Sequence, residues 1–360
     1  MGVFVAVMHY TGIDYHKQYS VLCTVDEDGT VIREARIERN DPAVLAAYFR
    51  EVGPHSKAVM EACWNWGWLF DYLCEMPELD EVVLSHPGKT RLIAEAQIKT
   101  DRLDARILAQ LLRSRLIACA HAPTPPIRAR KHLLRQRMAF VRWRTMLRNR
   151  VHALLDRQRD LRRPAVQNIF GSSGKKWLRA LKLPAPDDAL LRELIACVDQ
   201  LDIQVKELEE RIAADNERDP NVQSLLSLPG VGPILGAVMA TEIDGIDRFP
   251  SADKLCAYAG LAPSVRASGG KTRYGALLTC CNKWLRWAFL EASWLAIARS
   301  GYFGSMYRGH RARGKKPTVA ITIVARRMCR IAWHLLREHR EFNENTVPAS
   351  ILSPAAPDKN

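Results

Sequence analysis

The sequence predicts an α/β amino-terminal domain with the element order of a ribonuclease-H-like fold, followed by a mainly α-helical remainder. Three observations predict it. Short β-rich runs come first and then alternate with helical runs, the pattern of a sheet with helices laid over it. Proline density at Ala122-Pro-Thr-Pro-Pro126 breaks the chain. Beyond that break, apolar residues recur mostly at helical spacing.

Taken in order, His9–Tyr15, Tyr19–Asp26 and Thr30–Ile37 read as strands, the last two separated by the turn Glu27-Asp28-Gly29. Asp41-Pro42 reads as an N-cap followed by proline at the first helical position. Lys57–Glu61 is a strand, Leu69–Glu75 a helix, Glu81–Ser85 a strand and Lys99–Arg115 a helix. After the proline break comes a basic helix at 127–160, a Gly/Ser/Pro-bearing connection, and a second helix at about 187–215. In that second helix Leu191, Leu194, Val198, Leu201, Val205, Leu208 and Ile212 repeat at alternating spacings of three and four, a coiled-coil seam. Its partner is either the preceding helix or another subunit. The next stretch is largely helical, with a glycine-rich loop at Ser268–Gly275, and Pro348–Asn360 reads as disordered. The expected division is 1–125, 126–217, 218–341 and a tail at 342–360.

Charge narrows the function. The chain has 360 residues, 48% hydrophobic and 26% charged, with a net charge of +14. An excess of that size favours a polyanionic partner. It is concentrated: Ile127–Arg163 holds thirteen Arg and Lys against only Asp156 and Asp160. Arg142, Arg144, Arg148 and Arg150 lie mid-helix as candidate phosphate contacts. Nine cysteines without a CxxC pair read as reduced thiols of a cytoplasmic protein, and Cys280–Cys281 as helix packing. Gly2–Met8 is too short and uncharged for a signal peptide, and no apolar run approaches membrane-span length.

The candidate chemistry begins with acids. Asp14 sits inside the first strand, and Glu61 ends the strand Ala58-Val-Met-Glu61. A carboxylate in an apolar strand is costly to bury unless something such as a metal compensates it. Asp101 and Asp104 open a helix at i,i+3 spacing and share a face. In a ribonuclease-H-like fold these four places converge, so the tetrad would hold a divalent ion, Mg²⁺ or Mn²⁺, against a phosphate. Each acid singly has a plainer reading: Asp101 as a helix cap, Asp104 as a first-turn acid, Asp14 and Glu61 as edge residues. Leu228-Pro-Gly-Val-Gly-Pro233 fits a helix-hairpin-helix turn in which Gly230 and Gly232 expose N–H groups to a phosphate, or an αα connection without a ligand. Ser268, beside Arg266, Lys271 and Arg273, has a hydroxyl amid cations; taken alone it reads as a flexible turn. Trp64, Trp66 and Trp68 read as core packing in preference to base stacking.

These segments together resemble the DEDD-type insertion-sequence transposases that pair a RuvC-like domain with a serine-bearing transposase domain, the bridge-RNA-guided recombinases. The resemblance rests on GIDYHK at 12–17, the strand ending in Glu61, KTDRLDA at 99–105, RTMLRNRVHALL at 144–155, LPGVGP at 228–233, YAGLAPSVRASGGKTR at 258–273, NKWLRWA at 282–288 and RGKKPTVAITIVARR at 313–327. It implies that Asp14, Glu61, Asp101 and Asp104 bind metal. It further implies that Ser268 attacks a DNA phosphate and becomes transiently phosphoserine-linked. The implied partners are donor and target DNA, a structured guide RNA, and further copies of the chain in a dimer or tetramer. Cys63-Trp-Asn-Trp66 and Cys280–Cys281 depart from the family's usual residues. Two other readings remain: a Holliday-junction-resolvase-like nuclease with a structural Ser268, and a nucleic-acid-binding scaffold without catalysis.

Overall fold

A computed structural model describes residues 8–93, 100–268 and 271–346. The apolar run at 2–7, Lys99, Gly269-Gly270 and the tail from 347 lie outside the described residues, as do the side chains of Arg266 and Lys271. The chain divides into two compact units, Met1–Pro125 and Pro126–Asn360.

In the first unit β1 (His9–Tyr15), β2 (Tyr19–Val25) and β3 (Val31–Glu38) form an antiparallel meander. β4 (Ser56–Glu61) and β5 (Leu79–Ser85) extend the other side of β1 in parallel, giving the order β3-β2-β1-β4-β5. The helices are α1 (Pro42–Val52), α2 (Trp66–Cys74), α3 (Pro87–Ile93) and α4 (Asp101–Arg113). Asp41 caps α1 as expected, its carboxylate accepting the Ala43 N–H at 2.8 Å ahead of Pro42. Helix α2 begins three residues before the expected start, and α3 is not apparent from periodicity.

Side chains alternate across a strand, so each central strand serves two cores. Ile13, Ala58 and Met60 pack with Leu45, Phe49, Leu69 and Leu73 of α1 and α2. On the opposite face Val21 and Cys23 meet Ala105 and Ala109, and Val59 meets Leu108 and Leu112, all of α4. The alternation that puts Val59 under α4 also sends Glu61 to that face, and the Gly12 parity sends Asp14 there.

In the second unit α5 (Pro125–Asp156) opens inside the proline cluster, with Pro125 and Pro126 in its first turn, where a missing N–H costs nothing. It ends four residues earlier than expected, and Arg157 and Gln158 beyond it bond to Asp187. Helices α6 (Ser172–Ala180) and α7 (Asp187–Glu217) follow. Ion pairs Arg130–Asp219, Arg137–Glu209, Arg144–Asp202 and Arg157–Asp187 run in opposite directions along α5 and the α7 region. The first part of the α7 apolar seam, Leu191 and Val198 with Ile195 beside them, shares a core with Val151, Leu154 and Leu155 of α5 and Leu178 of α6.

Helices α8 (Pro220–Leu226), α9 (Pro233–Ile243), α10 (Ala252–Tyr258), α11 (Lys283–Arg299), α12 (Gly301–Ala312) and α13 (Pro317–Glu338) share one core, centred on Phe289, Ala292, Phe303, Val324 and Met328. The expected glycine-rich loop is instead a hairpin of β6 (Pro263–Ser268) and β7 (Lys271–Leu277), with Ser268 opposite Lys271. Val265 and Tyr274, which favour strands, pair across it, and a two-residue Gly-Gly connection is a hairpin signal. Cys280 and Cys281 lie in the bend before α11, correcting their reading as helix packing. Among the described residues no helix is long and apolar enough to cross a membrane.

Candidate metal site and nucleic-acid interface

The acidic site is built on a glycine. A Cβ on Gly12 would overlap the Ala105 carbonyl oxygen and reach within 2.5 Å of the Ala109 nitrogen. Helix α4 therefore crosses β1 almost backbone to backbone. Asp14 lies two residues further along the same face. The parallel register pairs Ile13 with Met60, so the next step sets Asp14 beside Glu61 where both strands end. Asp101 and Asp104 lie one turn before Ala105 and Leu108 and extend the buried face of α4 toward that edge.

Thr100 settles the question of the cap. Its hydroxyl accepts the Leu103 N–H at 3.2 Å, so the Asp101 carboxylate is not the cap of α4. Asp101 Oδ2 instead accepts the Tyr19 hydroxyl at 2.8 Å. His16 Nε2 stands 2.9 Å from Asp14 Oδ2 and 3.6 Å from Asp101 Oδ1. Asp14, His16 and Asp101 thus present ligand atoms within 4.8 Å of one another. Burial pushes the Asp14 carboxyl above its ordinary range; His16 draws it back, and the charges of Asp101 and Asp104 push it further up. Burial likewise raises the Cys63 thiol, with the charges of Glu61 and Asp14 adding to the effect. All four acids stand at one edge, but only Asp14 and Asp101 share the ligand set. The sequence reading passes over His16 and Tyr19. Its signal for His16 was the two-residue spacing from Asp14, which returns a side chain to the same side of an extended chain.

The tryptophans divide. Trp66 packs on the core and meets Phe70 edge-on, whereas Trp64 is 70% exposed, which corrects the core reading for that residue. Trp68 donates its indole N–H to the Tyr15 hydroxyl at 2.8 Å.

In the second unit at least eight of the thirteen basic residues of 127–163 hold ion pairs. Arg144 and Arg148 both reach Asp202 Oδ1 at 2.9 Å. Arg142 and Arg150 are exposed, with Arg142 5.5 Å from the Trp284 ring centre. Gly230 has φ 84°, and a Cβ there would overlap the Ala292 carbonyl oxygen. Its need is close packing on α11. Gly232 has open space around it and no side-chain cap, so it leaves the start of α9 approachable. Ser268 and Arg273 are exposed on the hairpin.

The family model described as "Transposase" of the DEDD IS110 type matches residues 11–158, and that of the transposase IS116/IS110/IS902 family matches 222–308. The "Insertion element IS116 uncharacterized 44.8 kDa protein" of Streptomyces clavuligerus is 26% identical over 92% of this chain and 96% of its own length. The "Probable family 20 transposase" of Pseudomonas aeruginosa is 26% identical over 90% and 96%. The "Transposase for insertion sequence element IS1328" of Yersinia enterocolitica is 24% identical over 92% and 98%. The chain belongs to the IS110 family of DEDD transposases.

This transposase is therefore a DNA-cutting enzyme of a family that uses a divalent metal, and its first unit has the family's ribonuclease-H-like α/β fold. The first match spans β1 through α5 and includes all four acids; the second spans α8 into α12 and includes Ser268. The transposase's NKWLR segment also has a structural account. Asn282 caps α11 by accepting the Trp284 and Leu285 N–H groups and donates to the buried Glu242 at 2.9 Å. Glu242 in turn meets Lys131 and Arg135 of α5, so a charged α9 residue is compensated from two helices.

Proposed function

We propose that this transposase cuts and rejoins DNA with Asp14, Glu61, Asp101 and Asp104 as metal-binding acids and Ser268 as nucleophile, under the direction of a structured guide RNA. The observation that carries the reading is the meeting of Asp14 and Asp101 where β1 ends beneath α4. Residues 1–125 form the RuvC-like catalytic domain, 126–217 the basic coiled-coil region, and 218–341 the serine-bearing domain with a helix-hairpin-helix turn at 228–233. The protein works as a homo-oligomer in the cytoplasm.

The donor set suits a hard divalent cation, Mg²⁺ or Mn²⁺. Asp14 and Asp101 aim oxygens at one point, and the Asp14 charge is held in a partly desolvated place that a cation would offset. When bound, such an ion polarises the phosphate and stabilises the oxygens that enter and leave. Tyr19 fixes one Asp101 oxygen and leaves the other facing His16, 3.6 Å from its Nε2. Ser268 Oγ forms a bond to phosphorus as the bond to the departing strand oxygen breaks, and that oxygen takes up the proton. Reversal by a new strand's hydroxyl restores the serine, so no external energy source is needed. Arg266, Lys271 and Arg273 share the hairpin and supply positive charge for the phosphate. Arg142 and Arg150 provide exposed cations for nucleic-acid backbones, and Gly232 an approachable helix start.

Labelled donor DNA incubated with the protein, Mg²⁺ and co-purified RNA should yield a covalent protein–DNA adduct on a denaturing gel. Strand cutting without any adduct would reject the serine route and favour a resolvase-like nuclease.

A further inference from the structure

We infer that His16 is itself a ligand of the divalent ion, giving the site a nitrogen donor that favours Mn²⁺ over Mg²⁺. This rests on the reading of Asp14 and Asp101 as metal-binding acids and adds a residue that reading does not contain. The distances carry it. An octahedral ion with ligands about 2.1 Å away sets neighbouring ligand atoms about 3 Å apart and opposite ones about 4.2 Å apart. His16 Nε2 is 2.9 Å from Asp14 Oδ2, a neighbouring spacing, and 3.6 Å from Asp101 Oδ1, between the two. The imidazole already stands where a ligand of that ion belongs. At that spacing the ion lies to one side of the line between His16 Nε2 and Asp14 Oδ2, and the imidazole turns from its hydrogen bond to face it.

The surroundings hold the imidazole there. The His16 ring lies on the Tyr19 ring at 4.8 Å between centres. The His16 N–H donates to the Tyr19 carbonyl at 2.9 Å, and its own carbonyl accepts the side-chain amide of buried Asn40 at 2.8 Å. Asn40 is in turn fixed by the Ser20 hydroxyl at 2.5 Å. The backbone bonds fix the turn that carries His16 and the Tyr19 ring orients the imidazole; for a metal ligand an orientation set in advance saves entropy on binding. Tyr19 braces both the histidine ring and Asp101, so one residue sets two donors. An imidazole donor raises affinity for first-row transition ions relative to Mg²⁺, which prefers oxygen and water. The remaining oxygen donors suit Mn²⁺ within that series.

The test uses the full-length protein free of nucleic acid and Mn²⁺ as the probe. Mn²⁺ binding is titrated by electron paramagnetic resonance, and nitrogen coordination is read from ¹⁴N modulation of the bound ion's spin echo. The wild-type protein should show a ¹⁴N signal that is lost in His16→Ala and His16→Asn, with Mn²⁺ affinity weakened about tenfold or more and Mg²⁺ affinity changed much less. Circular dichroism of both variants checks the fold, in which His16 is half-exposed and outside the apolar cores. Bound Mn²⁺ without ¹⁴N modulation, or modulation persisting in the variants, overturns the inference and leaves the acids' role standing. A wild-type protein that binds no Mn²⁺, or Asp14→Asn binding it as well as wild type, overturns the metal-site reading itself.

Discussion

Gly12 and Ala105 meet so closely that no side chain fits between strand β1 and helix α4. Every position along the contact depends on that approach, including the Asp14–Asp101 pair one turn away. Gly12→Ala should therefore cost about 1–3 kcal/mol of stability, because the obstruction is backbone and cannot rotate aside. It should also weaken metal binding as Asp101 is pushed off. A denaturant midpoint and a metal titration check both; an unchanged midpoint would show that α4 tolerates a shift.

Asp14→Asn and Asp104→Asn should each abolish strand cutting and leave nucleic-acid binding nearly intact. An amide keeps the shape of the carboxylate and loses the charge a cation needs. Cleavage and filter-binding assays on the same preparations separate the two effects. Full cutting by either variant would remove that residue from the metal site.

The raised Asp14 carboxyl has a consequence for stability. In the fold it holds its proton to higher pH than in the unfolded chain, so its contribution is present at low pH and lost as pH rises past its ordinary range. Near neutral pH the ionised, desolvated Asp14 costs the metal-free protein stability. Asp14→Asn should then raise the melting temperature of the metal-free protein at pH 7 while lowering the stabilisation gained on adding Mg²⁺. Melting curves at pH 4 and pH 7, with and without Mg²⁺, read this directly; an equal gain at both pH values would contradict it.

Phosphate binding should separate the four mid-helix arginines. Arg142→Gln with Arg150→Gln should lower the salt slope of nucleic-acid binding by about two units if each meets one phosphate. Arg144→Gln with Arg148→Gln should change the slope less and lower stability more, because both guanidinium groups serve Asp202. Equal slope changes in the two double variants would show that the Asp202 pairs open on binding.

Ser268→Ala should leave the fold and RNA binding intact and eliminate both the covalent adduct and recombination. Ser268→Cys should retain at most a trace of adduct, since a thiolate is a competent nucleophile placed differently. Denaturing electrophoresis with labelled donor DNA, then peptide mapping of the shifted band, is the measurement. An adduct in the alanine variant, or one mapped elsewhere, would reject Ser268.

The sheet was legible because alternation, the Asp41-Pro42 cap and the turn at Glu27–Gly29 are local signals, and local chemistry set those boundaries. Asp14 and Glu61 stood out as carboxylates in apolar strands, and Asp101 and Asp104 by their i,i+3 spacing at the start of a helix. What escaped depends on neighbours distant in sequence. Nothing near Arg144 announces Asp202 on α7, so a run of arginines looked like free surface when much of it is paired. Tyr19 bonds Asp101 across 82 positions. The hairpin at 263–277 was legible in principle, since Gly-Gly between β-favouring residues is a hairpin signal. The glycines drew attention to looseness instead of to the pairing on either side.

The ladder between α5 and α7 makes ionic strength act on this protein in two places at once. Added salt weakens attraction to a polyanion, and it also screens Arg137–Glu209 and the Asp202 pairs that join the two long helices. Lost affinity at high salt can thus record a loosened scaffold as well as released counterions. Helical content measured across the same salt range tells the two apart. A polyanion, conversely, competes with Asp202 and Glu209 for the same guanidinium groups, so docking of a nucleic acid along α5 would be felt by α7 as the withdrawal of its partner.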